Sequence, residues 1–167
     1  MTLHELNAAS RDQFVETIGW VFEHSPWVAE RAWIRRPFED RQALHGAMVS
    51  EMKSASREEQ LALVSAHPDL GTRARMSEAS TGEQAGAGLG ALSRTDFERL
   101  HRLNDAYRTK FGFPFLYAVK GSTPDQILDA LERRLPGAVD EEFAEALRQV
   151  SRIAWFRIES TIEGSPS

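Results

Sequence analysis

The sequence contains no cysteine among its 167 residues. This absence excludes disulfide bonds, thiolate nucleophiles, cysteine-bound zinc and iron–sulfur clusters within the chain. It does not indicate a cellular compartment, because a protein without thiols folds in either redox setting.

Long apolar runs and clusters of basic residues are also missing. No uninterrupted apolar stretch approaches the ~18 residues that suggest a membrane span, and the N-terminal residues lack the basic and apolar regions of a signal peptide. The formal net charge is -5 at pH 7, with acidic and basic residues mixed along the chain, so no feature points to nucleic acid or to an anionic membrane. We therefore expect a cytoplasmic protein that binds neither.

Several common catalytic motifs are missing as well. Gly86, Gly88 and Gly90 follow no predicted strand, so they do not form a phosphate-binding loop. There is no His-Glu-x-x-His motif and no Gly-x-Ser-x-Gly elbow. The sequence therefore gives little support for a metal site, and an enzyme built from this chain would depend on histidine, glutamate, glutamine and arginine for proton transfer and charge stabilisation.

What the sequence does contain is a series of helix signals with apolar residues at helical spacing between them. Ser10 and Gln13 form a capping-box pair, for example, and Phe14 and Ile18 follow them. The other predicted helix starts are Pro26, Asp40, Ser56 with Glu59, Ser80 with Glu83, Thr95 with Glu98, Thr123 with Gln126, and Asp140. We predict an all-α fold, a single-domain bundle of about seven to nine helices over residues 1–167.

Residues 111–119, here called the aromatic segment, interrupt the helical pattern. The segment reads Phe111-Gly-Phe-Pro-Phe-Leu-Tyr-Ala-Val119, and its glycine and proline oppose a regular helix. No other stretch offers a partner strand. We therefore predict an extended segment through the core, whose bent start leaves backbone N–H and C=O groups able to face a ligand.

The residues His67-Pro-Asp-Leu-Gly71, here called the His67 bend, break the pattern again. Pro68 disfavours helical geometry at His67, and Gly71 tolerates a positive φ. An imidazole with an ordinary pKa of about 6.5 transfers protons readily near neutral pH. His67 is therefore a candidate proton donor; the alternative is a histidine that caps the preceding helix or bonds within the turn.

Glu83 and Arg157 are two further candidates, and each has a structural alternative. Glu83 stands three residues after Ser80, so its carboxylate can close a capping box instead of binding a ligand. Arg157 is the one charged side chain of the apolar stretch Ile153–Ile158. Its guanidinium is expected in solvent unless it is buried, in which case it needs a partner such as a carboxylate.

Taken together, seven stretches of this sequence resemble the 2-oxo-4-hydroxy-4-carboxy-5-ureidoimidazoline (OHCU) decarboxylases of purine breakdown. They are Phe22–Trp33, Arg36-Pro-Phe38, His67-Pro-Asp-Leu-Gly71, Ser80–Leu89, Leu103-Asn-Asp-Ala-Tyr107, Lys110-Phe-Gly-Phe-Pro-Phe115 and Arg152-Ile-Ala-Trp-Phe-Arg157. They occur in the family's order over almost the whole chain, and the ordered set is far more specific than any one stretch. Gly71 stands where many members carry alanine.

The resemblance implies an all-α enzyme that needs neither metal nor organic cofactor and converts OHCU stereoselectively to (S)-allantoin. It implies that His67 is the general acid and that Glu83 also takes part in catalysis. A homodimer is consistent with the family, and the helix over Trp27–Trp33 is a candidate surface for it. The substrate-binding residues implied by the family are Pro68, Ser80, Glu83, Gln84, Phe115, Leu116, Tyr117, Ala118, Val119 and Arg157.

The sequence leaves two other functions open. A helical protein-binding module would use the aromatic segment, Trp27 and Trp33 as an exposed apolar surface. A lyase or hydrolase for a related ureido compound would use the same site on a different substrate. The decarboxylase hypothesis instead predicts a closed pocket into which His67, Glu83 and Arg157 point.

Overall fold

The computed structural model describes residues 1–71 and 78–164, and within these ranges its regular structure is helical. The α-helices are α1 (Leu3–Ala8), α2 (Arg11–Ile18), α3 (Trp27–Ala32), α4 (Arg41–Ser54), α5 (Arg57–Ser65), α6 (Glu78–Gly86), α7 (Arg94–Phe111), α8 (Pro124–Arg134) and α9 (Val139–Thr161). The 3-10 helices are Gly19–Val21, Trp33–Arg35 and Leu89–Ala91. The prediction of an all-α bundle with about seven to nine helices is confirmed.

Local hydrogen bonds account for several of the predicted helix starts. The Ser10 hydroxyl accepts from the Gln13 N–H at 3.2 Å, and the Gln13 side chain accepts from the Ser10 N–H at 3.2 Å. Thr123 and Gln126 exchange the same pair of bonds at the start of α8. Each pair satisfies two backbone donors that a helix N-terminus would otherwise leave unpaired.

Several predicted helix starts, among them those of α7 and α9, are wrong by one or two residues. Helix α7 is capped by Ser93, whose hydroxyl accepts from the Asp96 N–H at 3.1 Å. Thr95 therefore lies inside the first turn and is not the cap. Helix α9 begins at Val139, so Asp140 also lies in the first turn, where its carboxylate suits the positive end of the helix dipole.

The described chain separates into two compact units. The first contains residues 1–63 with the described residues from Ser151 onward, and the second contains Val64–Val150 apart from residues 72–77. Each has its own set of buried apolar side chains. In the first these include Leu6, Phe14, Ile18, Phe22, Val28, Leu44, Met48 and Met52, and in the second Leu100, Tyr107, Phe113, Phe115, Ile127, Leu131 and Phe143.

The aromatic segment lies within the second unit and is buried, as predicted. Phe111 is the last residue of α7, and Gly112 ends that helix with φ +80° while its N–H donates to the Arg108 carbonyl at 2.8 Å. From Pro114 onward the segment has no regular secondary structure. The Phe115 ring packs edge-on against Tyr107 with 5.5 Å between ring centroids, so the segment contributes directly to the core.

None of the helices in the described part of the chain combines the length and the apolar character that crossing a membrane would need.

Candidate active site

The His67 bend follows directly from the end of α5. The His67 N–H donates to the Val64 carbonyl at 3.2 Å, which closes a turn after Ser65, the last residue of that helix. The side chain of His67 is buried, with 5% of the residue exposed. Pro68 is half-buried. An imidazole in this position is largely shielded from solvent and is carried by a backbone whose geometry the proline restricts.

Helix α6 carries three of the predicted site residues and contacts the bend. Ser80 and Gln84 are buried, and Glu83 is half-buried. The Gln84 side-chain carbonyl accepts from the Gly71 N–H at 2.8 Å. Because α6 begins at Glu78, Ser80 is not the helix cap, and the prediction of a capping box between Ser80 and Glu83 is wrong.

Gly71 ends the bend in a conformation that other residues adopt rarely. Its φ is +72°, and a Cβ added there would lie 2.6 Å from Cδ2 of the buried Leu100. We expect Gly71→Ala to lower the free energy of unfolding by about 1–3 kcal/mol, because it combines left-handed backbone strain with overpacking. Urea denaturation measures this change.

The matched control for that substitution is Gly82→Ala. Gly82 lies inside α6, and a Cβ there would meet no atom within 4 Å. Since alanine is the better helix former, we expect this variant to gain up to about 1 kcal/mol. Equal stability of the Gly71→Ala variant and the parent would contradict the strain argument.

The aromatic segment is held in place by polar side chains of the second unit. The Leu116 carbonyl accepts from an Arg134 Nη1–H at 2.7 Å. The Ala118 N–H donates to the Gln149 side-chain carbonyl at 2.9 Å. Of the backbone groups that the family resemblance assigns to substrate binding, these two are therefore already used within the chain.

Arg134 is itself fixed by a buried group of polar side chains. Its Nε–H donates to Glu142 Oε1 at 2.9 Å, and the Tyr107 hydroxyl donates to the same oxygen at 2.7 Å. Burial, together with this hydrogen bond, raises the pKa of Tyr107, so that the phenol remains a donor at neutral pH. The guanidinium also lies 4.6 Å from the centre of the Phe115 ring. Sequence reasoning assigned no role to Arg134, Glu142 or Gln149.

Arg157 is buried in the first unit and paired with a carboxylate of the chain. Only 3% of Arg157 is exposed, and its Nη2 donates to Glu23 Oε2 at 2.8 Å, with 1% of Glu23 exposed. Its Nη1 donates to the Trp20 carbonyl at 3.2 Å. The alternative of a guanidinium in solvent is therefore excluded. Glu23 was missed as a partner, although it lies beside Phe22 at the start of the first matched stretch.

These observations place the predicted site residues in both units. His67, Pro68, the three residues of α6 and the aromatic segment belong to the second unit, and Arg157 belongs to the first. Convergence of His67, Glu83 and Arg157 around one pocket stays a prediction. Among the side chains that the structure describes, those of residues 1–71 and 80–164, no three histidine, aspartate or glutamate side chains come together in the way a metal ion would require.

Comparison with known proteins identifies the family. A family model described as OHCU decarboxylase matches residues 7–159. The chain belongs to the OHCU decarboxylase family. It is 49% identical over 158 residues to the 2-oxo-4-hydroxy-4-carboxy-5-ureidoimidazoline decarboxylase of Haloferax volcanii, with 95% of this chain and 94% of that protein covered. A second OHCU decarboxylase, from Halalkalicoccus jeotgali, is 44% identical and is covered over 90% of its length.

A solved structure agrees with this assignment to the OHCU decarboxylase family. The crystal structure of an (S)-allantoin synthase superposes with a TM-score of 0.81 at 32% sequence identity. The match covers 97% of this chain but only 54% of that longer chain. The resemblance that the seven ordered stretches indicated is confirmed.

Proposed function

We propose that this chain catalyses the cofactor-independent decarboxylation of OHCU to (S)-allantoin in urate breakdown. The observation that carries the proposal is a buried histidine, His67, in a bend that α6 holds through Gln84. The chain that contains this bend matches named OHCU decarboxylases over 95% of its length. A general acid must lie within hydrogen-bond reach of the atom that it protonates, and a buried imidazole on a restricted backbone can deliver its proton from one direction.

The chemistry of this substrate explains why no cofactor is needed. The reacting ring carbon carries a carboxylate and a hydroxyl, and the neighbouring ring carbon, which carries the ureido group, forms a C=N bond within the imidazoline ring. When the bond to the carboxylate breaks, CO₂ leaves and the electron pair forms a C=C bond to that neighbouring carbon, while the ring nitrogen of the former C=N bond takes the negative charge and then a proton. An external electron sink is then unnecessary. In this mechanism His67 delivers one proton to one face of the ureido-bearing carbon of the resulting enol, and the hydroxyl loses its proton to become the second ring carbonyl of allantoin. Protonation from one face produces a single enantiomer.

The remaining predicted residues orient the substrate and stabilise its charge. Glu83 and Gln84 bind the hydroxyl and the ureido group, and Gln84 Oε1 also accepts from the Gly71 N–H. Arg157 and backbone amides of residues 115–119 bind the ring carbonyl and the developing negative charge. Since the Ala118 N–H donates to Gln149, the amides of Leu116, Tyr117 and Val119 are the better candidates.

The proposal is tested by the chirality of the product. Urate is converted by uricase and hydroxyisourate hydrolase with and without this protein, and circular dichroism follows the formation of allantoin. Because OHCU also decays spontaneously, we expect faster accumulation of optically active (S)-allantoin only when the protein is present. A racemic product formed at an unchanged rate would overturn the proposal. Related ureido compounds offered under the same conditions test the alternative substrate.

The structure does not favour the protein-binding alternative. That hypothesis needs the aromatic segment as an exposed apolar surface, but Phe113 and Phe115 are only 2% and 1% exposed. Trp33 is half-buried and donates through Nε1 to the Ala9 carbonyl at 3.2 Å.

We further propose that the protein is a homodimer and that residues 1–167 act as one OHCU decarboxylase domain. The family resemblance supports the dimer, and the helix over Trp27–Trp33 is the candidate surface. Light scattering at micromolar concentration tests the proposal, and we expect twice the mass of one chain; a monomeric mass would reject it. The cytoplasmic location also stays a prediction.

A further inference from the structure

We propose that Asn104, which lies outside the predicted site, positions His67 for proton delivery. The inference rests on the proposed function, because it assigns a role in the same proton transfer. Asn104 lies on α7 and is 4% exposed. Its side-chain Nδ2 donates to the Leu70 carbonyl at 2.9 Å, a contact between residues 34 positions apart.

One peptide group of the His67 bend is held at both ends by side-chain amides. The Leu70 carbonyl and the Gly71 N–H belong to the same planar peptide unit. Asn104 donates to the oxygen of this unit, and Gln84 accepts from its N–H at 2.8 Å. Two bonds from two different helices fix both the position of this unit and its rotation about the chain.

This fixed peptide lies three residues after His67, and the chain between them has little freedom. Pro68 locks its own φ and restricts the backbone of His67. On the other side, the His67 N–H donates to the Val64 carbonyl. The backbone that carries the imidazole is therefore held before and after His67, and Asn104 supplies one of the holding bonds.

The second polar atom of the Asn104 side chain indicates why an asparagine is present. Its Oδ1 is buried and has no hydrogen-bond partner among the described residues. A buried carbonyl without a partner is unfavourable, so an apolar residue of similar size would suit the core better. The hydrogen bond that Nδ2 donates therefore explains why an asparagine occupies this position. Asn104 also lines a cavity of about 220 Å³ beside Leu70 and Gly71.

The same helix offers a matched control one turn further on. Arg108 pairs with Asp69 of the bend at 3.0 Å, but its side chain is 47% exposed. Exposed pairs of this kind contribute little. Like the Asn104 substitution, Arg108→Gln removes a contact between α7 and the His67 bend. Unlike that substitution, it does not remove a buried hydrogen-bond donor.

The experiment compares Asn104→Leu, Asn104→Asp and Arg108→Gln in the chirality assay. We expect Asn104→Leu to lower kcat by ~10–10²-fold with KM changed by less than about threefold, since small misplacements of a reacting group are costly. Its melting temperature should stay close to that of the parent, because the unpaired Asn104 carbonyl is removed while the Leu70 carbonyl loses its donor. Arg108→Gln should remain within about twofold of the parent in both constants.

Asn104→Asp adds a readout that a purely structural role would not change. A protonated carboxyl can donate to the Leu70 carbonyl, whereas a carboxylate cannot. The deficit in kcat relative to the parent should therefore shrink as pH falls, while that of Asn104→Leu should stay constant. Asp69, Glu83, His101 and Arg108, the charged or titratable groups around the bend and cavity, are common to Asn104→Asp, Asn104→Leu and the parent, so each variant is compared with the parent at the same pH.

A second measurement does not depend on turnover. The imidazole resonances of His67, followed by NMR, should shift or broaden in Asn104→Leu and remain unchanged in Arg108→Gln. Parent-like kcat in Asn104→Leu, or equal effects of Asn104→Leu and Arg108→Gln on these resonances, would overturn the positioning role. If the parent gives racemic allantoin while the His67 resonances change as expected, the proposed function is rejected and the effect of Asn104 on the position of His67 is retained.

Discussion

Replacing His67 with alanine is expected to lower kcat by ~10²–10⁴-fold without unfolding the protein, the range that a general acid usually contributes. The substitution removes the buried imidazole and leaves the backbone of the bend in place. Gln84 and Asn104 still hold the peptide unit between Leu70 and Gly71. The remaining side chains can still bind substrate, so KM should change much less than kcat. The rate of appearance of optically active allantoin measures the effect.

The matched control is His4→Ala. His4 is an exposed histidine of α1, and its loss should leave kcat within about twofold of the parent. Circular dichroism in the far ultraviolet confirms that both variants fold. Parent-like turnover in His67→Ala would remove His67 from the mechanism, whatever the effect on KM.

Replacing Arg157 with methionine is expected to lower the free energy of unfolding by about 3–5 kcal/mol, the usual cost of removing one partner of a buried ion pair while the other stays buried. Glu23 would remain with 1% of its surface exposed and without the guanidinium that now lies 2.8 Å away. Urea denaturation gives the free energy. Arg94→Met is the control, because the pair that Arg94 forms with Glu98 has side-chain exposures of 92% and 62%, and such pairs contribute at most about 1 kcal/mol.

The double variant Glu23→Gln with Arg157→Met separates stability from substrate binding. It removes both charges, so most of the lost stability should return, and the double-mutant cycle should show strong coupling. If Arg157 also binds substrate, the stable double variant should still be a poor catalyst. Additive losses of stability would contradict the ion pair, and parent-like kcat/KM would reject the role of Arg157 in binding.

Sequence reasoning succeeded where a structural signal lies within a few residues. The bonds between Ser10 and Gln13 join residues three positions apart, and the pair can be recognised from spacing alone. The same reasoning failed at the start of α7, because Ser93 and Thr95 are both suitable caps and their spacing cannot rank them. It also missed α1, which Thr2 and Glu5 begin with a capping box of their own.

The contacts that support the candidate site join distant parts of the chain. Asn104 and Leu70 are 34 positions apart, and Arg157 and Glu23 are 134 apart. No local pattern distinguishes Glu23 from other acidic residues, because its burial depends on the packing of the folded unit. The family resemblance supplied the candidate site residues, and the structure adds contacts such as those of Asn104 and Glu23 that join distant parts of the chain to them.

The way the aromatic segment is held constrains its length. Large rings at Phe113 and Phe115 alternate with the smaller Pro114, Leu116 and Ala118, and all five are buried. A deletion of one residue here would move each ring into a space shaped for a smaller side chain. It would also carry the polar groups of the backbone about 3.3 Å from Arg134 and Gln149. Natural insertions and deletions in relatives should therefore fall outside this segment, for example in the turn that follows Val119.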